Sequence, residues 1–101
     1  GTDALEIAIE ALNLKKGSEV IVPANTWIST AEAVTRHGLK VVFCDISLDN
    51  YTIDIKDLEN KICNKTSAIM VVHLYGYPAN LEKIKKIIKN KKIWCYDKIC
   101  T

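Results

Sequence analysis

Four short apolar runs, each separated from the next by a segment of helical periodicity, constrain this chain more than any other feature. They are Glu19–Pro23 (EVIVP), Lys40–Asp45 (KVVFCD), Ser67–His73 (SAIMVVH) and Ile93–Asp97 (IWCYD). None alternates polar with apolar, and Val and Ile dominate the first three. A strand apolar on both faces must be covered on both faces, which is the condition of a parallel sheet between helices.

The intervening segments fit that arrangement. From Asp3 to Leu14 the polar residues fall only at Asp3, Glu6, Glu10 and Asn13. This predicts a helix whose apolar arc is wider than one sheet face can cover, with Lys15-Lys16-Gly17 as its cations and stop. A second helix, with Ile28, Ala31 and Val34 inward, ends at His37-Gly38. Asp54 caps a short third helix bearing Ile55, Leu58 and Ile62 on one face, and Asn80 caps a fourth bearing Leu81, Ile84, Ile87 and Ile88. Lys83, Lys85, Lys86 and Lys89 form the solvated face of that last helix. The fold class is α/β, a mainly parallel sheet with flanking helices. Right-handed crossovers permit the spatial order two-one-three-four as well as a sequential one.

Composition narrows the functions open to such a chain. At 101 residues it is one domain or part of one, and 14 basic against 12 acidic residues leave a net charge of only +2. Arg36 is the sole arginine, so nucleic acid is not an expected partner. No apolar run approaches the roughly 18 residues that span a bilayer, and no leader pattern opens the chain, so no membrane partner is expected and a cytoplasmic location is. Cys44, Cys63, Cys95 and Cys100 include no C-x-x-C pair, and His37 and His73 are isolated, so reduced thiols and no metal site are expected. The chain opens on Gly1 and stops at Thr101 just after an apolar run, which suggests a fragment.

In an open parallel sheet a ligand lies outside the carboxyl ends of the strands. The residues there are Asn25-Thr26-Trp27, Asp45, His73-Leu74-Tyr75-Gly76 and Asp97. Gly1-Thr2-Asp3, at the mouth of the first helix, is either an ordinary cap or a phosphate cradle of backbone N–H groups. Trp27 is either a core aromatic or a stacking platform. Asp97 is either a turn residue or an acid paired with a buried cation, and His73 is either an acid or base or a wall residue. A phosphate cradle, a stacking ring and a buried acid together suit a phosphorylated aromatic cofactor with a protonatable ring nitrogen, and pyridoxal 5′-phosphate (PLP) answers that description. No Gly-rich dinucleotide or Walker loop competes with it.

The stretches Gly1-Thr2-Asp3-Ala4-Leu5, Glu19-Val20-Ile21-Val22-Pro23-Ala24-Asn25-Thr26-Trp27, Val42-Phe43-Cys44-Asp45-Ile46, Tyr51-Thr52-Ile53-Asp54 and Val72-His73-Leu74-Tyr75-Gly76-Tyr77-Pro78-Ala79 resemble, in order, the DegT/DnrJ/StrS-type sugar aminotransferases. The resemblance implies that residues 1–101 are an incomplete PLP-binding large domain of a fold-type I enzyme, with strand order two-one-three-four. It also implies that Gly1, Thr2 and Asp3 hold the cofactor phosphate, Trp27 stacks on the pyridine ring and Asp97 pairs with the pyridinium nitrogen. The implied reaction, in polysaccharide biosynthesis, moves an amino group from an amino-acid donor, glutamate in most of the family, to a nucleotide-linked keto sugar. The full-length protein would be a homodimer. Two departures stand out. Tyr96-Asp97-Lys98-Ile99-Cys100 places Cys100 where the family has Gln or His, and the lysine that holds the cofactor has no counterpart here, Lys98 included. A non-catalytic α/β remnant or interaction module, and a PLP-dependent sugar dehydratase relative with His in place of that lysine, are the alternative readings.

Overall fold

The computed structural model describes residue 7 and residues 9–24, 28–47, 53–74, 81–89 and 91–100. Its elements are β1 (Glu19–Pro23), α1 (Ile28–Arg36), β2 (Lys40–Cys44), α2 (Ile55–Lys61), β3 (Thr66–Leu74), α3 (Leu81–Ile88) and β4 (Trp94–Cys100), preceded by a helical turn that includes residues 9–12. All three strand pairings are parallel and the order is β2-β1-β3-β4, the order that the resemblance implies.

Each face of the sheet has its own core, as strands apolar on both sides require. Val20, Val22, Ala68 and Met70 pack with Ala33 and Val34 of α1, with Ile9 and with Leu39. On the other face Ile21, Ile69, Val71 and Cys44 pack with Ile53, with Leu58 of α2 and with Ile84 of α3. Cover is incomplete at the sheet edges, where Phe43 on β2 is 53% exposed and Trp94 on β4 is 57% exposed. β4 is an edge strand of the described sheet, and while Ile93 and Cys95 pack against the second core, Trp94 between them does not.

Two helix ends show how local chemistry sets the chain path. Gly38 has φ +74°, its N–H bonds the Thr35 carbonyl at 3.0 Å, and the Leu39 N–H bonds the Val34 carbonyl at 3.3 Å. This is the glycine-terminated cap that closes a helix while turning a buried Leu39 back onto Val34. The first helical segment stops sooner than Lys15-Lys16-Gly17. Asn13 takes φ +49°, a left-handed conformation that Asn tolerates, and its N–H bonds the Glu10 carbonyl at 3.1 Å. That segment leaves apolar surface in water, as an arc wider than one sheet face requires. Ile9 is in the core, but Ile7 is 67% exposed.

β4 departs from expectation in length. The run was expected to end at Asp97, yet the strand continues through Lys98-Ile99-Cys100, paired with Val72-His73-Leu74 of β3. No Gly or Pro interrupts it, and β3 itself extends far enough to offer backbone partners.

Candidate active site at the carboxyl edge of the sheet

Because the strands are parallel, all four carboxyl ends lie at one edge, and the chain reverses its direction of winding between β1 and β3. That switch point is where an open α/β sheet forms its ligand crevice. The edge there is stepped. Pro23 and Cys44 end β1 and β2 opposite one another, and Val71 stands opposite Asp97. Carried two residues on, the register that pairs Ile21 with Ile69 brings Pro23 level with Val71. Asp97 therefore lies in the row where β1 and β2 stop, while β3 and β4 run three residues further, about 10 Å at strand rise.

Gly1, Thr2, Asp3 and Trp27 lie outside the described residues, as do Tyr75, Gly76 and Asn25. His73 and Cys100 are placed in the ladder opposite Ile99 and Leu74 respectively.

The edge also contains a hydrogen-bonded arrangement that the sequence does not announce. The peptide unit between Cys44 and Asp45 is held at both ends. Its carbonyl accepts from the Ala24 N–H at 2.8 Å, and its N–H donates to Asp57 Oδ2 at 2.7 Å. The Asp45 carbonyl accepts from the Asp54 N–H at 2.9 Å, and Ile46 bridges to Ile53. Asp54 caps α2 as expected, accepting from the Lys56 N–H at 3.0 Å. The signal available in sequence was Asp54-x-x-Asp57, the spacing of a capping box. In the structure Asp57 reaches to β2 instead of back to its own cap. The bond from Asp45 holds the Asp57 carboxyl below its ordinary value, with Lys61 adding to the effect. The Cys44 thiol beside it is pushed up to about 12, by burial first and by Asp57 next.

A hollow of about 470 Å3 lies at the other end of the sheet, lined by Ile62, Cys63, Asn64, Thr66, Lys91, Lys92 and Ile93. These residues precede or begin β3 and β4, so the hollow is remote from Asp97 and is not the ligand crevice. Among the described residues no cluster could hold a metal ion, Cys44, Cys63 and Cys95 form no disulfide, and no helix is long and apolar enough to cross a membrane.

The profile of the DegT/DnrJ/EryC1/StrS aminotransferase family matches residues 1–98. The chain belongs to that family. It is 40% identical over 94 residues to the GDP-perosamine synthase of Escherichia coli O157:H7, covering 93% of this chain and 26% of that protein. It is 48% identical over 84 residues to a UDP-N-acetyl-3-dehydro-alpha-D-glucosamine 3-aminotransferase of Acidithiobacillus ferrooxidans, covering 83% of this chain and 23% of that one. The structure superposes on E. coli GDP-4-keto-6-deoxy-D-mannose-3-dehydratase with bound hydrated PLP at a TM-score of 0.88 and 37% identity, over 95% of this chain and 26% of that one. The fold is that of the PLP-dependent fold-type I enzymes, and PLP is the cofactor of the family. The chain spans about a quarter of the length of these relatives.

Proposed function

We propose that this chain is the cofactor-binding first part of a PLP-dependent aminotransferase acting on a nucleotide-linked keto sugar, with an amino acid, glutamate, as donor, and working in the full-length protein as a cytoplasmic homodimer. The observation that carries the reading is Asp97, in the row where β1 and β2 end, within a chain that matches the family from residue 1 to residue 98. Thr2 donates its hydroxyl, and Thr2 and Asp3 their backbone N–H groups, to the cofactor phosphate, and Gly1 allows their close approach. Trp27 covers the pyridine ring and excludes water from it. Asp97 holds the proton on the ring nitrogen. When bound, PLP supplies the electron sink on which amino-group transfer depends.

The 101-residue chain should bind PLP weakly and should not transaminate, since it has no counterpart of the family's lysine. PLP titration followed by absorbance and tryptophan quenching is the test. Weakened binding in Thr2→Ala and Trp27→Ala is the expected result. A borohydride-reducible adduct on one specific lysine of this chain, together with turnover, would overturn the reading.

The dehydratase reading rests on the likeness to the E. coli dehydratase at a TM-score of 0.88, which S. venezuelae DesV nearly equals at 0.87, so the fold alone does not separate the two. The coding DNA beyond the Thr101 codon separates the two: a frame carrying Lys at the family position supports transfer, His supports dehydration, and an early stop supports a remnant.

A further inference from the structure

Asp57 belongs to α2, yet its carboxylate does its bonding at the end of β2. We propose that Asp57 is a positioning residue for the exit of β1 toward Trp27, acting through the Cys44–Asp45 peptide unit.

The argument is one of geometry. A peptide unit is rigid, so fixing its N–H fixes the direction of its carbonyl. Asp57 Oδ2 holds the Asp45 N–H at 2.7 Å, within the short range of a charge-assisted bond. The carbonyl of the same unit then faces the Ala24 N–H at 2.8 Å. Ala24 is the first residue beyond β1 and lies three positions before Trp27. The Asp54 N–H holds the Asp45 carbonyl at 2.9 Å, and the Cys44 thiol lies 3.7 Å from the Asp54 carbonyl, so the cap of α2 is bonded to the end of β2. Leu58, one residue along from Asp57, is fully buried against the sheet and anchors the helix that carries the carboxylate. Within the capping-box spacing an Asp side chain would ordinarily serve its own helix. Here it serves a neighbouring strand end at the ligand edge. Only the functional consequence, a correctly placed Trp27, rests on the PLP reading.

The test is amide hydrogen exchange on the 101-residue chain, resolved to single residues by NMR, for wild type, Asp57→Ala and Asp57→Asn. In D57A the amides of both Asp45 and Ala24 should exchange about tenfold faster or more, while those of Ile69 and Val71 keep their protection. In D57N, whose amide oxygen can still accept, most of that protection should return. Acceleration at Asp45 without Ala24, or equal acceleration at Ile69 and Val71, would overturn the proposal, the second because it marks a merely structural role. Titration of the same proteins with PLP separates this inference from the functional one. Failure of wild type to bind PLP counts against the cofactor reading and leaves the exchange result to decide on Asp57.

Discussion

Replacing Ile21 by Ala and, separately, Phe43 by Ala asks whether stability follows burial rather than apolar character. Both residues sit on paired strands, β1 and β2, and Phe43 is the larger. Ile21 is fully buried, on a strand flanked on both sides, against Ile69, Leu58 and Ile84. Truncation to Ala removes three methyl or methylene groups, about 2.4 kcal/mol at 0.8 kcal/mol each. Residual cavity brings the total to about 3 kcal/mol, within the roughly 2 to 5 found for such core truncations. A chain of this size has about 5 to 15 kcal/mol in all, so the loss is a large fraction of it. Phe43, 53% exposed, should cost about 1 kcal/mol or less. Urea unfolding followed by circular dichroism is the assay. With a slope of about 1.5 to 2 kcal/mol per molar, I21A should lower the midpoint by about 1.5 to 2 M with the slope unchanged, and F43A by about 0.7 M or less. Equal shifts for the two variants, or a larger shift for F43A, would refute the reasoning that stability here follows burial.

Gly38→Ala should cost about 1 to 2 kcal/mol, because φ is +74° and the added methyl meets Lys16 Cγ at 3.4 Å; a thermal melt lowered by about 5 to 10 °C would show it. The Asp57 carboxyl is depressed in the folded state, so its contribution is present above the ordinary value of 3.8 and is lost as pH falls through the lower folded value. Urea midpoints measured from neutral pH downward should therefore fall less steeply below pH 3.8 in D57N than in wild type. Alkylation at about pH 8 should label exposed Cys63 and spare Cys44, whose thiol is buried and pushed up to about 12, as peptide mass spectrometry of the native chain would report. Trp94→Lys should raise the monomeric fraction in sedimentation without lowering the urea midpoint, because it removes an exposed aromatic from an edge strand.

Much of the scaffold was legible because its signals are local. The β-branched run Glu19–Pro23 and the Asp54 cap each carry their own instruction, and both appear where the residues place them. Gly38 likewise ends its helix where expected. The misreadings are those in which a local signal competed with a neighbour. Gly17 was the obvious helix stop, but Asn13 turned left-handed first. Asp97 reads as a strand end because a charge closes an apolar run, yet β3 supplies partners for three residues more. Of the candidate site, the Asp57–Asp45 bond was not legible, since no periodicity within α2 encodes a partner twelve residues earlier on another element. The strand order is a different case, for it came with the resemblance; the crossover rule alone permitted the sequential order as well.

The place of β1 has a kinetic consequence. It is made before the other three strands of the described sheet, yet its neighbours begin only at Lys40 and Thr66, and a parallel pair cannot close through a tight hairpin. Until β3 emerges, one backbone edge of β1 lacks its native partner, and Val20, Ile21 and Val22 wait with it. Translation proceeds at about 5 to 20 residues per second, so that exposure lasts on the order of seconds on the ribosome, long compared with local helix formation. A segment fully buried in the finished sheet therefore passes that interval with one backbone edge unpaired.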